Sequence, residues 1–118
     1  MKETDRAWAA GFFDGEGHYR ASLHRYPGPP LRSYMSLRAR VSQKDPEVLL
    51  RFRDIMGVGK IYQQGNGLYY YQVTKRSEVQ RVVNILWPYL GSVKRQQIIQ
   101  AQEQYREFEK SRKEKIYK

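Results

Sequence analysis

The chain contains no cysteine. Disulfides, thiolate zinc sites and cysteine nucleophiles are therefore excluded, while the compartment stays open, because a thiol-free chain suits any redox environment. No apolar run approaches the roughly 18 residues of a membrane span, and Met1-Lys2-Glu3-Thr4-Asp5 lacks the apolar stretch of a secretory signal. The expectation is a soluble intracellular protein with no membrane partner. Only two histidines occur, His18 and His24, too few to build a zinc site of their own without cysteines. Acids are scarce as well: 12 Asp and Glu stand against 22 Lys and Arg, a formal net charge of +10 in 118 residues. Such an excess points to a polyanionic partner. Its mixing with Tyr and Gln over several segments favours nucleic acid over a membrane surface, where the cations would line one side of an apolar helix. A basic protein that is merely soluble is the plain alternative.

With 40% of its residues apolar, a chain of this length can bury one core and has no room for two. One domain over residues 1–118 is expected, with its core over about 4–108 and a charged, frayed tail over about 109–118. Two segments alternate with period two and read as strands. In His18 to Tyr26 one face carries His18, Arg20, Ser22, His24 and Tyr26, and the other Tyr19, Ala21 and Leu23. After Pro27-Gly28-Pro29-Pro30, Ser33 to Gln43 sets Tyr34, Ser36, Arg38 and Arg40 against Met35, Leu37, Ala39 and Val41. Asp45-Pro46-Glu47 caps a short amphipathic helix through Met56, ended by Gly57-Val58-Gly59. Lys60 to Gln64 and Leu68 to Thr74 flank an Asn-Gly turn signal as a second hairpin. Tyr69, Tyr71 and Val73 belong on its core side, and Tyr70 and Gln72 on the other. Ser77-Glu78 opens a third helix that stops near Pro88. From Ser92 a long one follows, with Trp87, Tyr105 and Phe108 assigned to the core. The first helix, capped by Thr4 or Asp5, precedes them all. The order α-β-β-α-β-β-α-α predicts an α+β fold, a four-stranded antiparallel sheet with helices on one face and the other face left open.

Trp8-Ala9-Ala10-Gly11-Phe12-Phe13-Asp14-Gly15-Glu16-Gly17 mixes bulky aromatics with glycines that each cost a helix about 1 kcal/mol. Gly11 and Gly15, four apart, share one side of the helix and would admit a second backbone closely. Gly17 is free to take a left-handed cap. Asp14 and Glu16 sit at the carboxyl end, where the helix dipole disfavours anions, so a cation or a bracing contact is needed there. An ordinary helix stop and turn reads similarly. The stretch Ala9 to Gly17 resembles the signature nonapeptide of the LAGLIDADG homing endonucleases, with Gly11, Asp14 and Gly17 matching and Glu16 in place of the usual second aspartate. The likeness extends to Val41-Ser42-Gln43-Lys44, to Gly57-Val58-Gly59-Lys60-Ile61-Tyr62 and to the element order itself.

The resemblance implies a saddle-like sheet, and, with one nonapeptide present, a homodimer joined through signature helices that cross at Trp8, Gly11 and Gly15. It implies Glu16 and the Gly15 carbonyl as ligands of Mg²⁺, two or more ions per dimer, and phosphodiester hydrolysis without a nucleophilic side chain. Gln43 is similar to the family's water-ordering residue, and Lys94 to its active-site lysine, although the adjacent Arg95 competes for that place. Asp14 is assigned to bracing the helix end. A ten-residue strand spans roughly 33 Å, about ten base pairs, so one sheet can follow one half-site of double-stranded DNA. The residues expected to touch that DNA are His18, Arg20, Ser22, His24, Tyr26, Tyr34, Ser36, Arg38, Arg40, Lys60, Tyr62, Gln64, Tyr70 and Gln72. The function implied is site-specific cutting at a pseudo-palindromic target. A non-cleaving DNA-binding regulator and a splicing helper bound to intron RNA are the alternatives.

Overall fold

A computed structural model describes the backbone of residues 1–117 and side chains through Lys113. The elements are α1 (Glu3–Glu16), β1 (Gly17–Tyr26), β2 (Arg32–Gln43), α2 (Pro46–Met56), β3 (Lys60–Gln63), β4 (Tyr69–Val73), α3 (Arg76–Leu86), a single 3₁₀ turn (Trp87–Tyr89) and α4 (Ser92–Tyr117). The two hairpins join through β2 and β4 into one antiparallel sheet of order β1-β2-β4-β3. Alternation then assigns the faces. Tyr19, Ala39, Val41, Tyr71 and Val73 are buried beneath the helices, and their neighbours in sequence turn the other way.

The core is aromatic where α1 and α2 meet the sheet. Phe52 stacks on Phe13 at 6.2 Å and meets the edge of Tyr71 at 5.0 Å. Burying each such ring contributes about 1.5 to 3 kcal/mol. α2 is held at both ends: the Asp45 carboxylate accepts from the Glu47 amide at 2.9 Å, and Gly57 closes it in the left-handed conformation at φ 72°. Gly59, at φ 99°, is required twice over, since a Cβ there would lie 2.4 Å from the Tyr71 ring.

The Tyr71 hydroxyl donates to the Val58 carbonyl at 2.7 Å, and burial, with the Glu78 charge, pushes its pKa well above the ordinary tyrosine value. The neutral phenol is thus favoured in the folded state. Its contribution is complete below about pH 10, the unfolded pKa, and declines as pH rises above that. Tyr71→Phe is expected to cost about 1 kcal/mol at pH 8 through the lost hydrogen bond. By pH 11 the deficit should narrow, because the variant has no such phenol to ionise. Urea titrations at both pH values check this, and an equal deficit would contradict it.

Several helix ends differ from expectation. α1 begins at Glu3 with Lys2 before it and no side-chain cap, so neither Thr4 nor Asp5 serves. Gly17 is extended (φ −87°, ψ 157°), not left-handed. It is a glycine because a Cβ would lie 2.4 Å from the Phe13 ring. α3 opens at Arg76 after Lys75, one residue before Ser77. The charged tail is helical through Tyr117, since its Glu, Lys and Arg are good helix formers and Glu109 pairs with Arg112 at 2.8 Å. Trp87 packs half-buried against the core, and Tyr105 and Phe108 are only half-buried, outside it. No helix among the described residues is long and apolar enough to cross a membrane.

Candidate nucleic-acid interface and cleavage site

None of the 12 acids lies in a strand; all are in helices except Asp45, which caps one. The sheet's open face is therefore a field of cations and neutral donors without a carboxylate. Register arranges it in rows. His18, Arg40, Gln72 and Lys60 run across all four strands; Ser42, Tyr70 and Tyr62 lie to one side, and Arg20 and Arg38 to the other. Ser22 with Ser36, His24 with Tyr34 and Tyr26 with Arg32 follow toward the β1–β2 turn. His24 bonds Ser36 through Nε2 and Oγ at 2.9 Å and stacks on Tyr34 at 4.5 Å. Tyr26 stacks on the other side of that cluster, 5.7 Å from Tyr34. A shallow cleft of about 400 Å³ opens among Ser22, His24, Ser36, Arg38, Gln72 and Lys75.

The cations divide by job. Arg6 donates to the Ile85 and Asn84 carbonyls, Arg81 to Met56 and Arg95 to Trp87 and Pro88, each satisfying the free carbonyls that end a helix or turn. On the open face, by contrast, cations crowd one another: partial burial, then Arg40 and Arg20 in turn, lower the pKa of Arg38. A dense anion is what relieves such crowding.

α1 delivers its carboxyl end to the edge of this face. Glu16 is exposed there, and among the described residues it enters no ion pair. The preceding Gly15 is also exposed. Asp14, in contrast, is occupied: both carboxylate oxygens accept from the Gly91 amide, at 3.1 and 3.0 Å, across the start of α4. That is the bracing role expected of it. Asp14→Ala is predicted to cost about 0.5 to 2 kcal/mol, the usual worth of a helix cap. A urea midpoint equal to wild type would contradict this role.

Lys94 is the one buried charged residue among those described. Its Nζ lies 2.7 Å from the Gly17 carbonyl oxygen and 3.3 Å from Gln97 Oε1, beside the residue that follows Glu16. Neither solvent nor a free backbone contact describes it, and Arg95, held by Trp87, faces elsewhere. Gln43 ends β2 half-buried, two residues or roughly 7 Å beyond Val41, the strand partner of Gly17. Alternation sets it with the helix-side residues rather than on the open face. Gln64 lies just past β3, in the turn, where its amide donates to Leu68.

Hard cations take oxygen ligands, and the chain offers them here as the Glu16 carboxylate and the carbonyls that end α1. No cluster of three or more His, Cys, Asp or Glu occurs among the described residues. One chain thus supplies one carboxylate, and the donor set fits a divalent ion shared with phosphate oxygens or a second chain. Gly11 and Gly15 have nothing within 4 Å of where a Cβ would stand. Nothing inside one chain requires these glycines. Trp8, beside them, is half-buried between Phe12 at 5.4 Å and the Arg51 guanidinium at 3.8 Å.

Sequence reasoning missed Ser42 and Arg32, which share the open face. Both were readable by carrying the alternation one step further at each end of β2.

The homing endonuclease I-TnaI aligns with a TM-score of 0.75 at 22% identity, over 94% of this chain and 76% of that one. I-CvuI, in complex with the I-CreI target in 2 mM Mg with the DNA not cleaved, gives 0.74 at 24%, over 88% of this chain. The present chain spans 65% of that I-CvuI chain. I-AabMI, a LAGLIDADG meganuclease bound to uncleaved DNA, gives 0.72 at 26%, over 94% of this chain and 40% of that one. No curated protein sequence matches. The family profile described as LAGLIDADG endonuclease covers residues 9–105, from the start of the nonapeptide into α4. The chain therefore belongs to the LAGLIDADG endonuclease family.

Proposed function

We propose that this chain acts as a homodimer that binds a pseudo-palindromic DNA duplex through its two open sheet faces and hydrolyses both strands with the help of divalent metal. The observation that carries the reading is the position of Glu16. It is an exposed, unpaired carboxylate where α1 passes into a basic sheet whose strands hold no acid. An isolated anion in a cationic field at a helix carboxyl end is unfavourable for DNA binding unless a cation sits between it and phosphate.

The open face holds and orients the duplex, each sheet following one half-site. The exposed Gly11 and Gly15 let two copies of α1 approach, which brings two Glu16 carboxylates to the junction of the half-sites. Glu16 and the Gly15 carbonyl would hold Mg²⁺, which when bound would help a water lose a proton and attack as hydroxide, and would neutralise charge on the phosphate and the departing alkoxide. Lys94, buried against the Gly17 carbonyl, fixes the segment that carries Glu16 and places a positive charge behind it. Gln43 supplies an amide for ordering water nearby. I-CvuI has been crystallised on DNA in 2 mM Mg and in 2 mM Ca, which supports a divalent ion at this site. No observation favours intron RNA.

The test is a random duplex pool, selected by retention on the protein in Ca²⁺ and then moved into Mg²⁺. Enrichment of a two-fold related sequence followed by cutting supports the proposal. Retention without cutting points to a binding module, and preference for structured RNA over the pool overturns the reading.

A further inference from the structure

Which of the open-face side chains read bases is a question the packing of one of them answers. The Arg40 guanidinium lies 3.8 Å over the ring of Tyr70, and Tyr70 in turn stacks on Tyr62 at 5.0 Å and 22°. The three come from three adjacent strands, β2, β4 and β3, and form a ladder across the sheet. A guanidinium held this close over a ring by cation–π attraction has its position narrowed before any ligand arrives, while its N–H groups stay available to bond. The arginines of the helices are placed differently. Arg6, Arg81 and Arg95 are bound to helix-end carbonyls, Arg53 and Arg112 are paired with Asp54 and Glu109, and Arg51 and Arg76 stack on Trp8 and Tyr105 of the helical layer.

Position in the sheet separates base from phosphate. Four strands at about 4.8 Å spacing are roughly 14 Å wide, slightly more than the major groove at about 12 Å. Edge strands β1 and β3 then lie along the groove walls, where the phosphates are, and central strands β2 and β4 face its floor. Arg40 is on β2. Beside it in the same row is Gln72 of β4, whose Oε1 is buried without a hydrogen-bond partner among the described residues. The planar fork of a guanidinium matches the paired O6 and N7 acceptors of guanine, whereas adenine and cytosine each oppose it with an amino group.

We propose that Arg40 reads a guanine in the inner part of each DNA half-site, with Tyr70 and Tyr62 as the positioning residues that hold its fork. Inner follows from register: Arg40 pairs with His18, two residues from Glu16, in the first open-face row that β1 forms after α1 ends. The inference rests on the proposed duplex binding.

Retention of a random duplex pool in Ca²⁺, sequenced for wild type and variants over a salt series, tests it. Wild type should enrich guanine at one inner position of each half-site. Arg40→Ala and Arg40→Lys should both lose that preference, on the order of tenfold to a hundredfold, with other positions intact. Tyr70→Ala should lose part of it with the salt slope unchanged, and Tyr70→Phe, which keeps the stack, should restore it. If Arg40→Ala weakens all sequences equally and lowers the log–log salt slope by about 1, Arg40 contacts phosphate and the proposal is overturned. If Arg40→Lys keeps the guanine, the fork is not what reads it, and the proposal fails likewise. A wild-type chain that enriches no sequence at all refutes duplex recognition itself, which a loss confined to the variants would not.

Discussion

Glu16→Gln should lower cutting of a selected duplex in Mg²⁺ by on the order of a thousandfold, equivalent to about 4 kcal/mol of transition-state stabilisation. Retention of the same duplex in Ca²⁺ should stay within a few fold. The amide keeps the side chain's size and removes its charge, so metal affinity is lost while every open-face contact survives. Stability should move the other way. Glu16 is exposed, unpaired and at a helix carboxyl end, so neutralising it removes an unfavourable dipole interaction worth a few tenths of a kcal/mol to about 1 kcal/mol. A variant that cuts as wild type does would show that Glu16 holds no essential metal. A variant that neither folds nor binds would show its role to be structural.

Gly11→Leu is expected to separate the assembly from the fold. Nothing in the chain lies within 4 Å of a Cβ at that position, and leucine is favoured over glycine inside a helix by nearly 1 kcal/mol. The isolated chain should therefore be as stable as wild type or slightly more so. Two copies of α1 can approach at Gly11 only without side chains between them, so dimer affinity should fall by at least about a hundredfold, and cutting with it. Sedimentation over a concentration series reads this directly. A dimer of unchanged affinity would mean that the copies meet through some other surface, and that the exposed glycines of the nonapeptide are there for another reason.

These two residues were legible in the sequence for the reason that makes them testable: each is locally expensive, a glycine in a helix and an acid at its wrong end, and local packing justifies neither. The strand faces were legible too, because a half-buried sheet must alternate, and Tyr19, Ala39, Val41 and Tyr71 are buried while their neighbours are not. Gly17 was misread because a glycine after a helix usually signals backbone conformation, whereas here it signals the nearness of Phe13, a contact that spacing does not reveal. Lys94 was ambiguous beside Arg95, yet a signal existed. Lys94 stands four residues before the buried Ile98 and seven before the buried Ala101, on the inward stripe of α4, where Arg95 does not fall. The same stripe carried the expected core too far. α4 runs on along β1 as far as the β1–β2 turn, where Arg112 lines a cleft with Tyr26 and Pro29, and along this stretch Tyr105 and Phe108 are only half-buried.

Two copies that each place one carboxylate at the junction of two half-sites would leave a record of that arrangement in the ends of cut DNA. Mapping both strands of a selected duplex after incubation in Mg²⁺ should give staggered ends, related by two-fold symmetry about the centre of the target, that disappear with Glu16→Gln. Ends on one strand only, ends unrelated to the centre of symmetry, or cutting that persists in the variant would contradict it.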